Sequence, residues 1–391
     1  MNIAIFTDTY PPFINGVSTS CYNLAKVLKA HGHHVLVVAP RTTSGKFEFK
    51  DDILWLPGFE LKKMYGYRIT NIYSRKVIKI LKEHKIEIIH NQTDIGVGQF
   101  AKLAAKALKI PIVYTYHTAY EDYTYYVTKG IMDRLAKKTI RTYSKIVAKN
   151  VTEFITPSIK TKDYMRSVGS DIYINVVPTG IDFALFSESN IDKEKEIEFK
   201  KKHNISEDTK ILLLLGRIAK EKSMDFSIEG FAKYLKKNNF PNTKMIVVGD
   251  GPQREELELL VDSLGIKEYV IFIGKVPAKE VGFYYHLADI YTSASLTETQ
   301  GLTFMEAMAS GTIVLARFDA NLAETISDGE TGYFFTSLDG YVEKIEKILA
   351  LDEEDKKLIT EAASKTVDLY SFERFYFNII GVYNRALKKY W

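Results

Sequence analysis

The stretch ILLLLGRIAKEKS, residues 211–223, decides the architecture. An unbroken apolar run from Ile211 to Leu215 reads as a strand buried on both faces, the pattern of a parallel sheet covered by helices. Gly216 ends the run, and Arg217 and Lys222 follow it. A buried strand that ends in glycine and delivers cations at its carboxyl edge stands where open α/β sheets bind ligands. Arginine supplies a planar fork and lysine a point charge, a pair suited to a pyrophosphate.

The same pattern repeats outward from this point. MIVVGDGPQREEL (Met245 to Leu257) reads as a strand, a Gly-Asp-Gly-Pro turn and a helix with Pro252 in its first turn. VIFIGKVP, the helix-like AKEVGFYYHLAD, then IYTSAS and TIVLAR continue the alternation. Before residue 180, NIAIFTDTY, HHVLVVAP, IEIIHNQ, IPIVYTYHT and EFITPS are short apolar strands separated by helical stretches. Alternating strands and helices predict an α/β protein with parallel sheets, and two such runs predict two Rossmann-like domains. A length of 391 residues suits two domains of ordinary size.

IYTSAS leads into ETQGLTFME, residues 298–306. A helix starting near Gly301 places Glu306 on its second turn and Glu298 in the preceding loop. The N–H groups of Gln300, Gly301, Leu302 and Thr303 then open toward one pocket, a cradle for phosphate or sugar oxygens. Taken alone, the spacing is more often that of two surface glutamates on an amphipathic helix.

The composition is that of an ordinary soluble protein, 46% hydrophobic and 26% charged. The N-terminal apolar run stops at Asp8, short for a signal peptide, and no apolar stretch is long enough to span a bilayer. A cytosolic location is therefore expected. The single cysteine, Cys21, falls in step with Val17, Leu24 and Leu28 and reads as core filler.

Charge is distributed unevenly. Residues 1–180 hold 26 Lys plus Arg against 14 Asp plus Glu, and residues 181–391 hold 27 against 35. A basic half attracts nucleic acid or an anionic membrane. In KGIMDRLAKKTIRTYSKIVAKN (Lys129 to Asn150), Arg134, Lys137, Lys138, Arg141 and Lys145 recur at helical spacing, with Ile131, Met132, Leu135, Ile140, Tyr143, Ile146 and Val147 between them. This basic amphipathic helix reads as a surface helix with its apolar side on the sheet and a solvated charged face, and such a cationic face can also bind anionic lipid while the apolar face stays in the core. GFELKKMYGYRI (Gly58 to Ile69) interleaves Lys62, Lys63 and Arg68 with Phe59, Met64, Tyr65 and Tyr67, as an interfacial loop does. No zinc-binding cysteine spacing or RNA-recognition signature favours nucleic acid, which remains a rival partner for these cations.

FTDTYPPFINGVSTS, TYHT (115–118), VPTGID (177–182), GRIAKEKS (216–223), GDGP (249–252) and ETQGLTFME together resemble glycosyltransferase family 4, in order and over nearly the whole chain. The resemblance implies a GT-B fold, two Rossmann-like domains facing each other across a cleft, and transfer from a nucleotide sugar with retention of configuration. Residues 1–180 would form an acceptor and membrane-facing domain, 181–370 the nucleotide-sugar domain, and a helix over 371–391 would cross back to the first. Within the family, YHTAYEDYTYY and the chain length resemble the bacterial 1,2-diacylglycerol 3-glucosyltransferases, which implies a diacylglycerol acceptor and a peripheral place on the inner face of the cell membrane.

UDP-glucose is the donor that resemblance implies, with UDP-galactose or a GDP-sugar as alternatives. By the same resemblance Arg217 and Lys222 hold the diphosphate, with Gly216 beside them and the Gly16 amide assisting. Glu306 binds the ribose hydroxyls, Glu298 with the amides of Thr299, Gln300, Gly301 and Leu302 holds the transferred sugar, and His117 positions it. Many members carry two glycines where this chain has Asn15-Gly16, so only Gly16 is carried over. No Asp-x-Asp occurs, which argues against the metal-dependent, single-domain design, and no cofactor is expected. A soluble or polysaccharide acceptor, or an inactive membrane scaffold that binds nucleotide sugars, are the competing functions.

Overall fold

A computed structural model describes the chain except for Ile14, Ser44, residues 61–67 and 118–132, Thr297 and Trp391. Within described elements, the side chains of residues 60, 133–138, 140 and 188 are also outside the description. The chain divides into two compact units: Met1–Gly180 joined by the C-terminal segment from Phe372, and Ile181–Ser371.

The first unit contains β1 (Asn2–Phe6), β2 (His34–Pro40), β3 (Glu48–Lys50), β4 (Ile53–Leu56), β5 (Gly58–Glu60), β6 (Arg68–Thr70), β7 (Ile88–Asn91), β8 (Ile112–Thr115), β9 (Glu153–Thr156) and β10 (Ile174–Val176). Its main sheet runs β10-β9-β8-β7-β1-β2-β4-β3, and β5 and β6 form a separate hairpin. All pairs in the main sheet are parallel except β3 with β4. Strand order reverses between β1 and β7, where Phe6 faces Asn91. Ile3, Ala4, Ile5 and Phe6 are all fully buried, which explains why β1 reads as a continuous apolar run. Ile3 and Ile5 pack with the helices Gly16–Ala30 and Phe372–Tyr390 on one face, while Ala4 and Phe6 pack under Arg75–Glu83 and Val97–Leu108 on the other. Cys21 lies in the first of these cores, and burial pushes its thiol up to about 12.

The second unit contains β11 (Lys210–Leu215), β12 (Thr243–Val248), β13 (Val270–Gly274), β14 (Ile290–Ser293), β15 (Ile313–Arg317) and β16 (Tyr333–Phe335), all parallel, in the order β13-β12-β11-β14-β15-β16. This is the doubly wound Rossmann order, with its switch point between β11 and β14. The helix after GDGP is Arg254–Leu264, so Pro252 lies in the turn ahead of it rather than in its first turn.

Candidate active site

Ligand chemistry in an open α/β sheet gathers beyond the strand ends at the switch point, and in the second unit two loops meet there. The first leaves β11 through Gly216, whose φ of 144° is open to glycine, and runs to Lys222. Gly249 and Gly251 of the GDGP turn press against it so closely that a Cβ at either would fall 1.8 Å from the Gly216 carbonyl oxygen or 2.2 Å from that of Ile218. The second loop leaves β14 and carries Glu298. Lys222 Nζ and Glu298 Oε1 are 2.6 Å apart and join the two loops, and Ser295 Oγ donates to the Glu221 carbonyl oxygen beside them. Arg217 pairs with Glu221, whose side chain is almost entirely buried. Both expected diphosphate cations therefore face carboxylates in this structure.

Helix Leu302–Ala309 starts where the glycine and the apolar run predict, with Gly301 at its N-cap. That position requires glycine twice over, because φ is 77° and a Cβ would meet Leu322 Cδ2 at 2.6 Å. Asn321 Nδ2 donates to the Glu298 carbonyl oxygen at 3.1 Å and pins the loop from the β15 side. Glu306 projects from the second turn, 3.0 Å from the Tyr285 hydroxyl. Burial pushes its carboxyl up to about 7, and the Tyr285 bond opposes that rise only in part. Tyr285 and Tyr291 stack edge-on beneath the helix, and both phenols are pushed well above their ordinary range, by burial first and then by the charges of Glu306 and Glu298. Glu306 thus meets the tyrosine pair directly, while Glu298 bears on it only through its charge.

In the first unit, Gly16 opens helix Gly16–Ala30, and the Asn15 side chain caps it by accepting from Ser18 N–H at 2.8 Å. A Cβ at Gly16 would meet nothing within 4 Å, so the fold itself does not demand glycine there. His117 follows the end of β8, with Nε2 2.6 Å from Gln92 Oε1 at the end of β7. Burial lowers its pKa to about 4, which keeps the imidazole neutral at ordinary pH.

The expected membrane contacts divide. Lys62 and Lys63 lie outside the described residues, as do the side chains of Arg134, Lys137 and Lys138. Arg68 is a correction: it is 7% exposed, and its guanidinium donates to the carbonyl oxygens of Gly58 and Thr42. The hairpin turns it inward, where it satisfies backbone acceptors instead of meeting lipid. In helix Asp133–Lys149, Ser144, Val147 and Ala148 are buried while Arg141 and Lys149 are exposed and Lys145 is half-buried. Ile146, expected on the apolar side, lies 54% exposed on the outer face. Phe59 in the hairpin is 85% exposed.

Sequence reasoning missed Glu221, Tyr285, Asn321 and Gln92. Glu221 had a signal, its four-residue step from Arg217; Gln92 had none, because it reaches His117 only through the pairing of β7 with β8.

Two doubly wound units, with cations, carboxylates and helix amides at the switch point of the second, have the GT-B architecture, and the relatives of the chain show it to be a nucleotide-sugar-dependent glycosyltransferase. Residues 195–365 match the family model for glycosyl transferases group 1, and residues 14–185 that for glycosyltransferase family 4. The alpha-monoglucosyldiacylglycerol synthase of Acholeplasma laidlawii is 33% identical, with all of both chains covered. That of Streptococcus pneumoniae is 35% identical over 86% of this chain and 75% of its own. Among solved structures, the sucrose-phosphate synthase of Thermosynechococcus elongatus superposes with a TM-score of 0.77 at 20% identity, covering 99% of each chain. Anabaena HepE in complex with UDP-glucose gives 0.76 at 16% identity, covering 98% of this chain and 99% of its own. The chain belongs to glycosyltransferase family 4.

Proposed function

We propose that this enzyme transfers glucose from UDP-glucose to the 3-hydroxyl of 1,2-diacylglycerol with retention, making an α-glucosyl glycolipid. The observation that carries this reading is the full-length identity of 33% to a relative named alpha-monoglucosyldiacylglycerol synthase. Breaking the anomeric C–O bond leaves negative charge on the departing diphosphate and positive charge on the sugar, so fixed cations and N–H dipoles belong at the phosphate. Arg217 and Lys222 fill that role, assisted by the Gly216 turn and the Gly16 amide. Glu306 accepts the ribose hydroxyls. Glu298, with the amides of Thr299 to Leu302, holds the hydroxyls of the glucosyl group, and His117 positions it. The leaving phosphate takes the acceptor proton, so no protein nucleophile, metal or cofactor is assigned.

The basic first unit is proposed to dock on an anionic membrane from the cytoplasmic side, through the cations of helix Asp133–Lys149 and through Lys62 and Lys63. Exposed apolar side chains support that docking: Phe59 and Ile69, opposite each other in the hairpin, and Ile146 on the cationic face. Among the described residues no helix is long and apolar enough to cross a membrane. The test is to incubate the purified protein with a panel of radiolabelled nucleotide sugars and mixed diacylglycerol micelles and to identify the product. A single α-glucosyl diacylglycerol made from UDP-glucose is expected. Label transferred only to a soluble acceptor, or turnover of no donor, would overturn the reading.

A further inference from the structure

We infer that Gln92 is a positioning residue that fixes His117 as the Nε2–H tautomer, so that Nδ1 faces the transferred sugar as a hydrogen-bond acceptor. The inference rests on the proposed contact of His117 with the sugar.

The geometry begins in the pairing of β7 with β8. Two side-chain rungs cross this pair on one face, His90 to Thr115 and Gln92 to His117, each joining residues 25 apart. His90 Nε2 lies 2.7 Å from Thr115 Oγ1, and its Nδ1 lies 2.7 Å from the hydroxyl of Tyr383 on the C-terminal helix. The first rung is thus held at both ends. Gln92 is nearly fully buried, and its main-chain N–H donates to the Phe6 carbonyl oxygen at 2.8 Å, extending the ladder to β1. Its amide oxygen then meets His117 Nε2 at 2.6 Å.

An amide oxygen only accepts, so the Nε2 facing it carries the proton. A neutral imidazole holds one proton, which leaves Nδ1 with its lone pair. Burial keeps His117 neutral, and His90, lowered by burial first and then by the charge of His117, is neutral as well. A sugar hydroxyl can donate to Nδ1. A neutral acceptor also suits the positive charge that develops on the sugar as the glycosidic bond breaks, which an imidazolium would oppose.

The test uses the full-length protein with ¹⁵N-labelled histidine. Long-range ¹H–¹⁵N correlation should show His117 as the Nε2–H tautomer, identified by its loss in His117→Asn. Gln92→Met removes the acceptor at similar volume; it should mix the tautomers and lower kcat about tenfold or more while nucleotide affinity holds. Gln92→Glu keeps the acceptor and adds charge; it should retain the tautomer and shift the acidic limb of the kcat profile upward by about one pH unit. Should Gln92→Met fail to fold, Gln92→Glu and the parent spectrum decide. An Nδ1–H tautomer in the parent, or unchanged pH profile and kcat in the folded variants, overturns the inference. Absence of any sugar transfer by the parent would instead sink the proposed function and leave the tautomer to be read from the spectrum.

Discussion

Glu306 gives the most direct handle on the proposed donor site because burial places its ionisation near neutral pH. Burial holds its carboxyl at about 7, so near neutrality about half of the molecules carry a proton there. A carboxylate that accepts two ribose hydroxyls must be ionised, and donor binding then expels that proton. Calorimetry in buffers of different ionisation enthalpy should therefore read release of about half a proton per donor bound near pH 7. Affinity should climb about tenfold from about pH 6 to about pH 8, as the ionised fraction rises from about 0.1 to about 0.9. A nucleotide sugar suits the measurement, since its diphosphate is esterified at both ends and does not titrate in that range.

Glu306→Gln keeps the shape and the Tyr285 contact but removes the charge. It should cost roughly 1.5–3 kcal/mol of donor affinity and abolish the proton release. Stability should move the other way. The folded protein holds this proton more tightly than the unfolded chain, so the contribution is complete below the ordinary value of 4.5 and is lost as pH rises through about 7. The donor-free variant should consequently melt above the parent on the alkaline side. A folded Glu306→Gln protein with parental affinity, or a parent whose affinity is flat across the range, would refute the ribose role.

Arg217→Ala and Lys222→Ala should each lower turnover about a hundredfold, since each removes charge needed most at bond cleavage; rescue by added magnesium would point to a metal site instead. Lys222→Ala also takes a 2.6 Å ion pair from the nearly buried Glu298 carboxylate, so thermal melting should show a loss that Lys222→Ala/Glu298→Ala partly restores. Gly301→Ala, forced to positive φ against Leu322, should cost roughly 1–3 kcal/mol in a denaturant titration and weaken donor binding. Replacing Lys137, Lys138, Arg141 and Lys145 with glutamate removes about 4 kcal/mol of surface attraction, enough to cut anionic-vesicle partitioning about a thousandfold in flotation. Donor hydrolysis should persist in that variant, and unchanged flotation would reduce the helix to a solvated face.

How much of this was legible depended on whether the cause was local. β11 could be read because a strand buried on both faces leaves an uninterrupted apolar run, whereas β10 and β16, three residues each, are too short to show any period. Glu298, Gly301 and Glu306 were legible from a strand end, a glycine and a helix start in immediate succession. Their supports were not: Tyr285 reads as helix filler until the order of β11 and β14 brings it under Glu306. Arg68 fails for the opposite reason. Composition placed it in an interfacial loop, but pairing of β5 with β6 turned its guanidinium onto two backbone carbonyls.

Net charge misleads in a related way. The second half of the chain carries more acids than bases, yet it is the half proposed to bind a diphosphate. At a separation of about 4 Å a charge pair near the surface interacts by about 4 kcal/mol, whereas charges beyond roughly 8 Å are largely screened at physiological ionic strength. Cations held at the switch point are therefore governed by their immediate neighbours and not by the excess acids of the distant surface. Arg217 and Lys222 are held there by ion pairs with Glu221 and Glu298. On the proposed reading, diphosphate binding exchanges partners: Lys222 turns from Glu298 toward phosphate, and the carboxylate is left to accept sugar hydroxyls. The basic surplus of the first half acts through the opposite regime, where many exposed charges sum over a flat anionic surface and no single pair matters.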